Sequence, residues 1–216
     1  GVKVFVEGEE EIGSDHLPAF LEAYGDLLEA DVIVIGDSGN WRVGVPTLTT
    51  SLRGMVDLVV EVRTLANAVH SGMFGGVYPD SLMALVRLLG TLHDDDGNVA
   101  ITGLVEFVSD PFDLTEEELA EAARPIAGLK TIGDGNLTTR LWSKPAISIL
   151  AVDAPAVADS VNALVPVARA KVSMRLAPGQ DPATAMRALE EHLVANTPWG
   201  AQTRILERGS GEAFAL

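Results

Sequence analysis

Two stretches of this chain alternate so regularly that they fix a half-buried sheet before anything else is read. From Ser51 to Arg63, Val56, Leu58, Val60 and Val62 fall on one face, and Asp57, Glu61 and Arg63 on the other. From Val165 to Leu176, Ala168, Ala170, Val172, Met174 and Leu176 oppose Arg169, Lys171, Ser173 and Arg175. A period of two with one polar face predicts antiparallel strands packed on one side only. Helical patterns lie between and after them. Pro79 and Asp80 open a segment whose Leu82, Leu85, Val86, Leu89 and Leu92 form a stripe, and Asp181 and Pro182 open one bearing Met186, Leu189 and Leu193. Ala146–Val152 and Ala201–Leu206 read as two more strands. Strand, helix, strand, strand, helix, strand is the ferredoxin-like order, with a four-stranded antiparallel sheet and two helices.

Residues 99–142 interrupt that order and read as an insertion, within which Thr115 and Glu118 make a capping box and Pro125 limits the helix. The run Asp94-Asp95-Asp96-Gly97-Asn98 reads as a solvated turn. Residues 1–42 follow another pattern. Val4–Val6 and Asp31–Gly36 read as short strands around a helix from Ser14, its cap, to Leu28. That is a parallel strand–helix–strand unit, and the fold class is therefore α/β (α+β) in two parts. Carboxylates stand at both strand ends: Glu9, Glu10 and Glu11 after the first, Asp37 after the second. Adjacent acids repel, so either water solvates them or a divalent cation relieves them.

The run Glu7-Gly8-Glu9-Glu10-Glu11-Ile12-Gly13-Ser14 followed by Ile35-Gly36-Asp37-Ser38 resembles the dinuclear zinc metallopeptidases of family 20, nearest the carnosine and cytosolic non-specific dipeptidase branch. Leu52-Arg53-Gly54, His70-Ser71-Gly72-Met73-Phe74-Gly75-Gly76, Pro145-Ala146-Ile147-Ser148 and Met174-Arg175-Leu176-Ala177-Pro178 match in order. The resemblance implies a partial catalytic domain over 1–42, a lid or dimerisation domain over 43–207 and a return towards the catalytic domain over 208–216. It implies metal-dependent hydrolysis of dipeptides or short peptides, two zinc ions (or manganese or cobalt) in the intact enzyme, and a homodimer formed through the lid. By position in the motifs, Glu10 resembles the general base, Glu11 and Asp37 the metal ligands, and His70 the lid histidine that reaches the partner subunit's oxyanion. Arg175 resembles a clamp on the substrate carboxylate. Ala163 stands where such dipeptidases often place threonine, and Asn162 is the candidate to compensate.

The family also places a His-x-Asp motif before this region and a histidine ligand after it. None of His16, His70, His93 and His192 lies in such a context. The expectation is a piece of a longer enzyme, inactive alone. The formal net charge of −16 argues against nucleic acid and anionic membranes as partners. No apolar run is long enough to span a bilayer, and the lack of cysteine excludes disulfides and thiolate sites and suits a cytoplasmic location. Trp41, Trp142 and Trp199 read as packing residues. Two alternatives stay open: an N-acyl amino-acid deacylase or desuccinylase with the same metal logic, and a metal-free dimerisation or binding module.

Overall fold

A computed structural model describes residues 1–35 and 40–216. The chain divides into two units, Gly1–Leu48 and Thr49–Leu216. In the first, the expected helix forms as α1, Leu17–Leu28, but it starts later than the sequence predicts. Gly13 and Ser14 both take left-handed backbone, with φ of 105° and 55°, so Ser14 turns the chain instead of capping the helix. Pro18 then sits in the first turn, where its missing N–H costs nothing. The two expected flanking strands are not found: among the described residues, no ladder takes in Val4–Val6 or 31–35. A strand is defined by its neighbour, and an apolar run with no ladder partner stays irregular.

The second unit carries every strand among the described residues. In chain order these are β1 (Ser51–Leu52), β2 (Gly54–Arg63), β3 (Val69–His70), β4 (Ala146–Asp153), β5 (Ala163–Leu164), β6 (Val167–Leu176), β7 (Gln202–Gly211) and β8 (Phe214–Ala215). Its helices are α2 (Ser71–Phe74), α3 (Ser81–Leu89), α4 (Glu116–Ala123) and α5 (Pro182–Ala195). The main sheet runs β4-β6-β2-β7, antiparallel throughout. With the short strands set aside, the first and third long strands lie side by side in the middle, which is the ferredoxin-like arrangement.

The alternation predicted for β2 and β6 is the one observed. Val56, Leu58, Val60, Val62, Val172, Met174 and Leu176 are fully buried beneath α3 and α5. From the helices, Leu85, Leu88, Leu189 and Leu193 complete that core. The stripe of α3 is rotated from the expected one. Ala84 and Leu88 face the sheet, Val86 is exposed, and Leu82 and Leu89 pack at the margin. Both helices start where the sequence places them, because Asp80 accepts from the Met83 N–H at 2.8 Å and Asp181 from the Thr184 N–H at 2.7 Å.

The 99–142 excursion is ordered by its own polar contacts. The capping box of α4 forms, with the Glu118 N–H on Thr115 Oγ1 and the Thr115 N–H on Glu118 Oε2. Asn136 donates to the Ser109 carbonyl at 2.8 Å, and Thr138 and Thr139 accept from the backbone N–H groups of Phe112 and Ser109. Asp94 accepts from the N–H groups of Asp96 and Asn98, which makes the aspartate run the turn the sequence predicts. Among the described residues, no helix is long and apolar enough to cross a membrane.

Candidate functional site

The candidate residues fall in three places, one in the first unit and two in the second. In the first unit, Glu10, Glu11 and Ile12 form a single tight turn closed by the Ile12 N–H on the Glu9 carbonyl and the Gly13 N–H on the Glu10 carbonyl. The three acids do not behave alike. Glu9 is engaged by His16, whose Nδ1 lies 2.8 Å from Oε2 and 3.0 Å from Oε1. No sequence period joins these two residues, since seven positions separate them and the turn between them is irregular. Glu10 and Glu11 are exposed and have no ion-pair partner among the described residues.

Asp37, the third carboxylate expected at this site, lies outside the described residues. Among the described residues, no group of three or more His, Asp or Glu side chains is gathered tightly enough to hold a metal. The donors present nevertheless suit a hard divalent cation. Glu10 and Glu11 offer free carboxylates, and Glu7 Oε1 is buried with no hydrogen-bond partner.

In the second unit, β3 and β5 pair over two residues, Val69 with Leu164 and His70 with Ala163. The Ser71 N–H then donates to the Asn162 carbonyl at 3.0 Å. His70 thus meets Asn162 and Ala163, a neighbouring pair far from it in sequence. The His70 ring is fixed by its own backbone: the Gly72 N–H donates to His70 Nδ1 at 3.1 Å. An acceptor at Nδ1 leaves the proton of the neutral imidazole on Nε2, so the ring presents an N–H donor outwards. Gly72 permits this contact. A Cβ there would stand 2.9 Å from His70 Cε1, closer than the ring tolerates. A two-residue ladder has no periodicity, which is why the sequence pattern does not reveal it.

Arg175 lies on the open face of the main sheet, opposite Met55 on β2 and Ala146 on β4. Its neighbours on that face are paired. Lys171 Nζ is 3.2 Å from Asp57, and Arg169 grips the buried Glu61 through Nε and a terminal nitrogen, each at 2.8 Å. Arg63 adds a longer contact to Glu61 at 3.6 Å. The Arg169 hydrogen bond, aided by the charges of Arg169, Arg63 and Arg204, holds the Glu61 carboxyl below the usual carboxylate range against its desolvation. Arg175 itself is exposed and has no acidic partner among the described residues.

The second unit thus has a ferredoxin-like sheet, with a histidine-bearing loop after its first long strand. The chain belongs to the M20 peptidase dimerisation-domain family, whose model matches residues 50–201. It is 37% identical to the cysteinylglycine-S-conjugate dipeptidase of Corynebacterium striatum, over all of this chain and 48% of that protein. It is 30% identical to the Beta-Ala-His dipeptidase of Rattus norvegicus, over 90% of this chain and 42% of that one. The structure of human carnosine dipeptidase 1 superposes with a TM-score of 0.75 at 25% identity, covering 97% of this chain and 47% of that chain. The chain therefore spans about half the length of the relatives it matches.

Proposed function

We propose that this chain is part of the catalytic domain together with the lid of a metal-dependent dipeptidase that works as a homodimer. The observation that carries the proposal is the hydrogen bond from the Gly72 N–H to His70 Nδ1, which leaves Nε2–H of the neutral ring to donate. Peptide hydrolysis needs such a donor for the tetrahedral oxyanion. In this reading the first unit belongs to the catalytic domain, and the exposed apolar groups around α1 are covered by the remainder of the longer protein. The names of the similar proteins favour dipeptides over N-acyl amino acids as substrates.

Glu11 and Asp37 would hold divalent ions, zinc first, with manganese or cobalt as alternatives. Bound there, the metal supplies Lewis-acid activation of water and of the scissile carbonyl. The free carboxylate of Glu10 takes the proton of the attacking water and returns it to the leaving amine nitrogen. His70 donates from Nε2 to the developing oxyanion of the partner subunit's site. Arg175 holds the terminal carboxylate of the substrate through its planar fork, with Asn162 assisting where Ala163 offers no donor. The cysteine-free composition suits a cytoplasmic enzyme.

The test uses the intact protein that contains this chain. His70→Ala lowers kcat for Cys-Gly by about 10²–10³-fold with metal content unchanged, the usual effect of losing one oxyanion donor. Unchanged turnover removes His70 from the reaction. Hydrolysis of Cys-Gly by the 216-residue chain alone would contradict the proposal outright.

A further inference from the structure

The open face of the main sheet neutralises its charges nearly everywhere. Asp57 answers Lys171, Glu61 answers Arg169 and Arg63, and Asp153 lies 3.7 Å from Arg169. One corner is different. Gly54 pairs with Leu176 and Met55 with Arg175, so Arg53, one step before Gly54, stands diagonally across from Arg175 on the same face. Neither guanidinium has an ion-pair partner among the described residues, in a chain whose formal net charge is −16. Arg53 is partly buried, and that burial, with the charge of Arg175 beside it, pushes its guanidinium below the ordinary value.

Two like charges held together without a counter-ion cost free energy in the empty protein. With acids so abundant in the chain, such a pair persists where an anion from outside completes it. Arg53 presents its charge from the entry of β2 and Arg175 from the end of β6, so one anion can be gripped from two strands. A carboxylate has two oxygens and accepts from two guanidinium forks at once.

We propose that Arg53 is a second guanidinium of the carboxylate site, so that the free C-terminus of a short peptide is held between Arg53 and Arg175. This rests on the assignment of Arg175 to substrate recognition and adds a residue to it. The consequence is selectivity: an amidated peptide leaves two desolvated cations facing each other, whereas a free carboxylate relieves both.

Steady-state kinetics of the intact metal-loaded enzyme on Cys-Gly and its amide, in the wild type, Arg53→Gln, Arg175→Gln and the double variant, test the site. Arg53→Gln raises KM for the free peptide about tenfold or more, the loss of a charged hydrogen bond, with kcat within about twofold and the amide unaffected. The double variant loses less than the product of the two single effects, because both residues hold one group. Equal changes on free and amidated peptides, or none, overturn the proposal. Calorimetric binding of N-acetylglycine keeps the question open to refutation if the protein hydrolyses neither peptide. Affinity that falls about tenfold in each arginine variant, with no binding of N-acetylglycinamide, supports the two-armed site, and unchanged affinity in Arg53→Gln ends it. A melting temperature that is not lowered in Arg53→Gln shows that the fold is intact. A marked drop there assigns Arg53 to structure and also overturns the proposal.

Discussion

The apolar runs around α1 and those of the main sheet are written in the same alphabet, yet only the second set becomes strands. Val32, Ile33, Val34 and Ile35 stay exposed at 76–88%, whereas Val56, Leu58, Val60 and Val62 are at 0%. The difference is not propensity, since valine and isoleucine dominate both. β2 has β6 on one side and β7 on the other, each in long register, and two helices over its apolar face. Residues 32–35 have none of these among the described residues. Helix α1 forms regardless, because a helix satisfies its backbone within one segment. What the two units teach is that a helix is a local statement and a strand is a relational one.

Mutagenesis can break that comparison. In the 216-residue chain, Leu58→Ala opens a cavity between β2 and the helices and lowers stability by about 2–5 kcal/mol, whereas Leu27→Ala, on the exposed side of α1, changes it by less than about 0.5 kcal/mol. Urea unfolding followed by circular dichroism checks both. Equal effects would mean that the first unit is as well packed as the second.

A smaller effect tests the open face of the sheet. Arg169→Met leaves Glu61 buried with only the longer Arg63 contact, and costs about 1–2 kcal/mol at neutral pH once screening of the half-exposed guanidinium is allowed for. The acid side carries a sign. Glu61 titrates lower folded than unfolded, so its contribution is present above the unfolded value of about 4.3 and is lost as pH falls through the depressed folded value. Removing Arg169 raises the folded value, so acid unfolding begins at a higher pH in the variant than in the wild type. Circular dichroism between about pH 2 and 7 reads the shift. A smaller loss again is that of Asp80→Ala, about 1 kcal/mol for the α3 cap, seen as faster amide exchange at Met83 in the variant than in the wild type.

Much of this was legible without coordinates. The faces of β2 and β6, the caps at Asp80 and Asp181 and the box at Thr115 and Glu118 all follow from local rules that the structure obeys. The start of α1 is not legible, because the left-handed backbone of both Gly13 and Ser14 takes Ser14 out of the cap position its residue type suggests. At the candidate site, motif positions pointed to His70 and Asn162, but their meeting across β3 and β5 depends on tertiary pairing that no period announces. The engagement of Glu9 by His16, and the bare pairing of Arg53 with Arg175, are likewise products of folding.

The two shortest outer strands have a mechanical consequence. β1 and β8 pair, Ser51 with Ala215 and Leu52 with Phe214, and the Leu216 N–H donates to the Thr50 carbonyl at 3.0 Å. Residues 50–52 and 214–216 are therefore stitched together like the two leads of one plug. A peptide linker of a few residues can join them into a circle, and new termini opened in the 99–142 excursion would leave the sheet untouched.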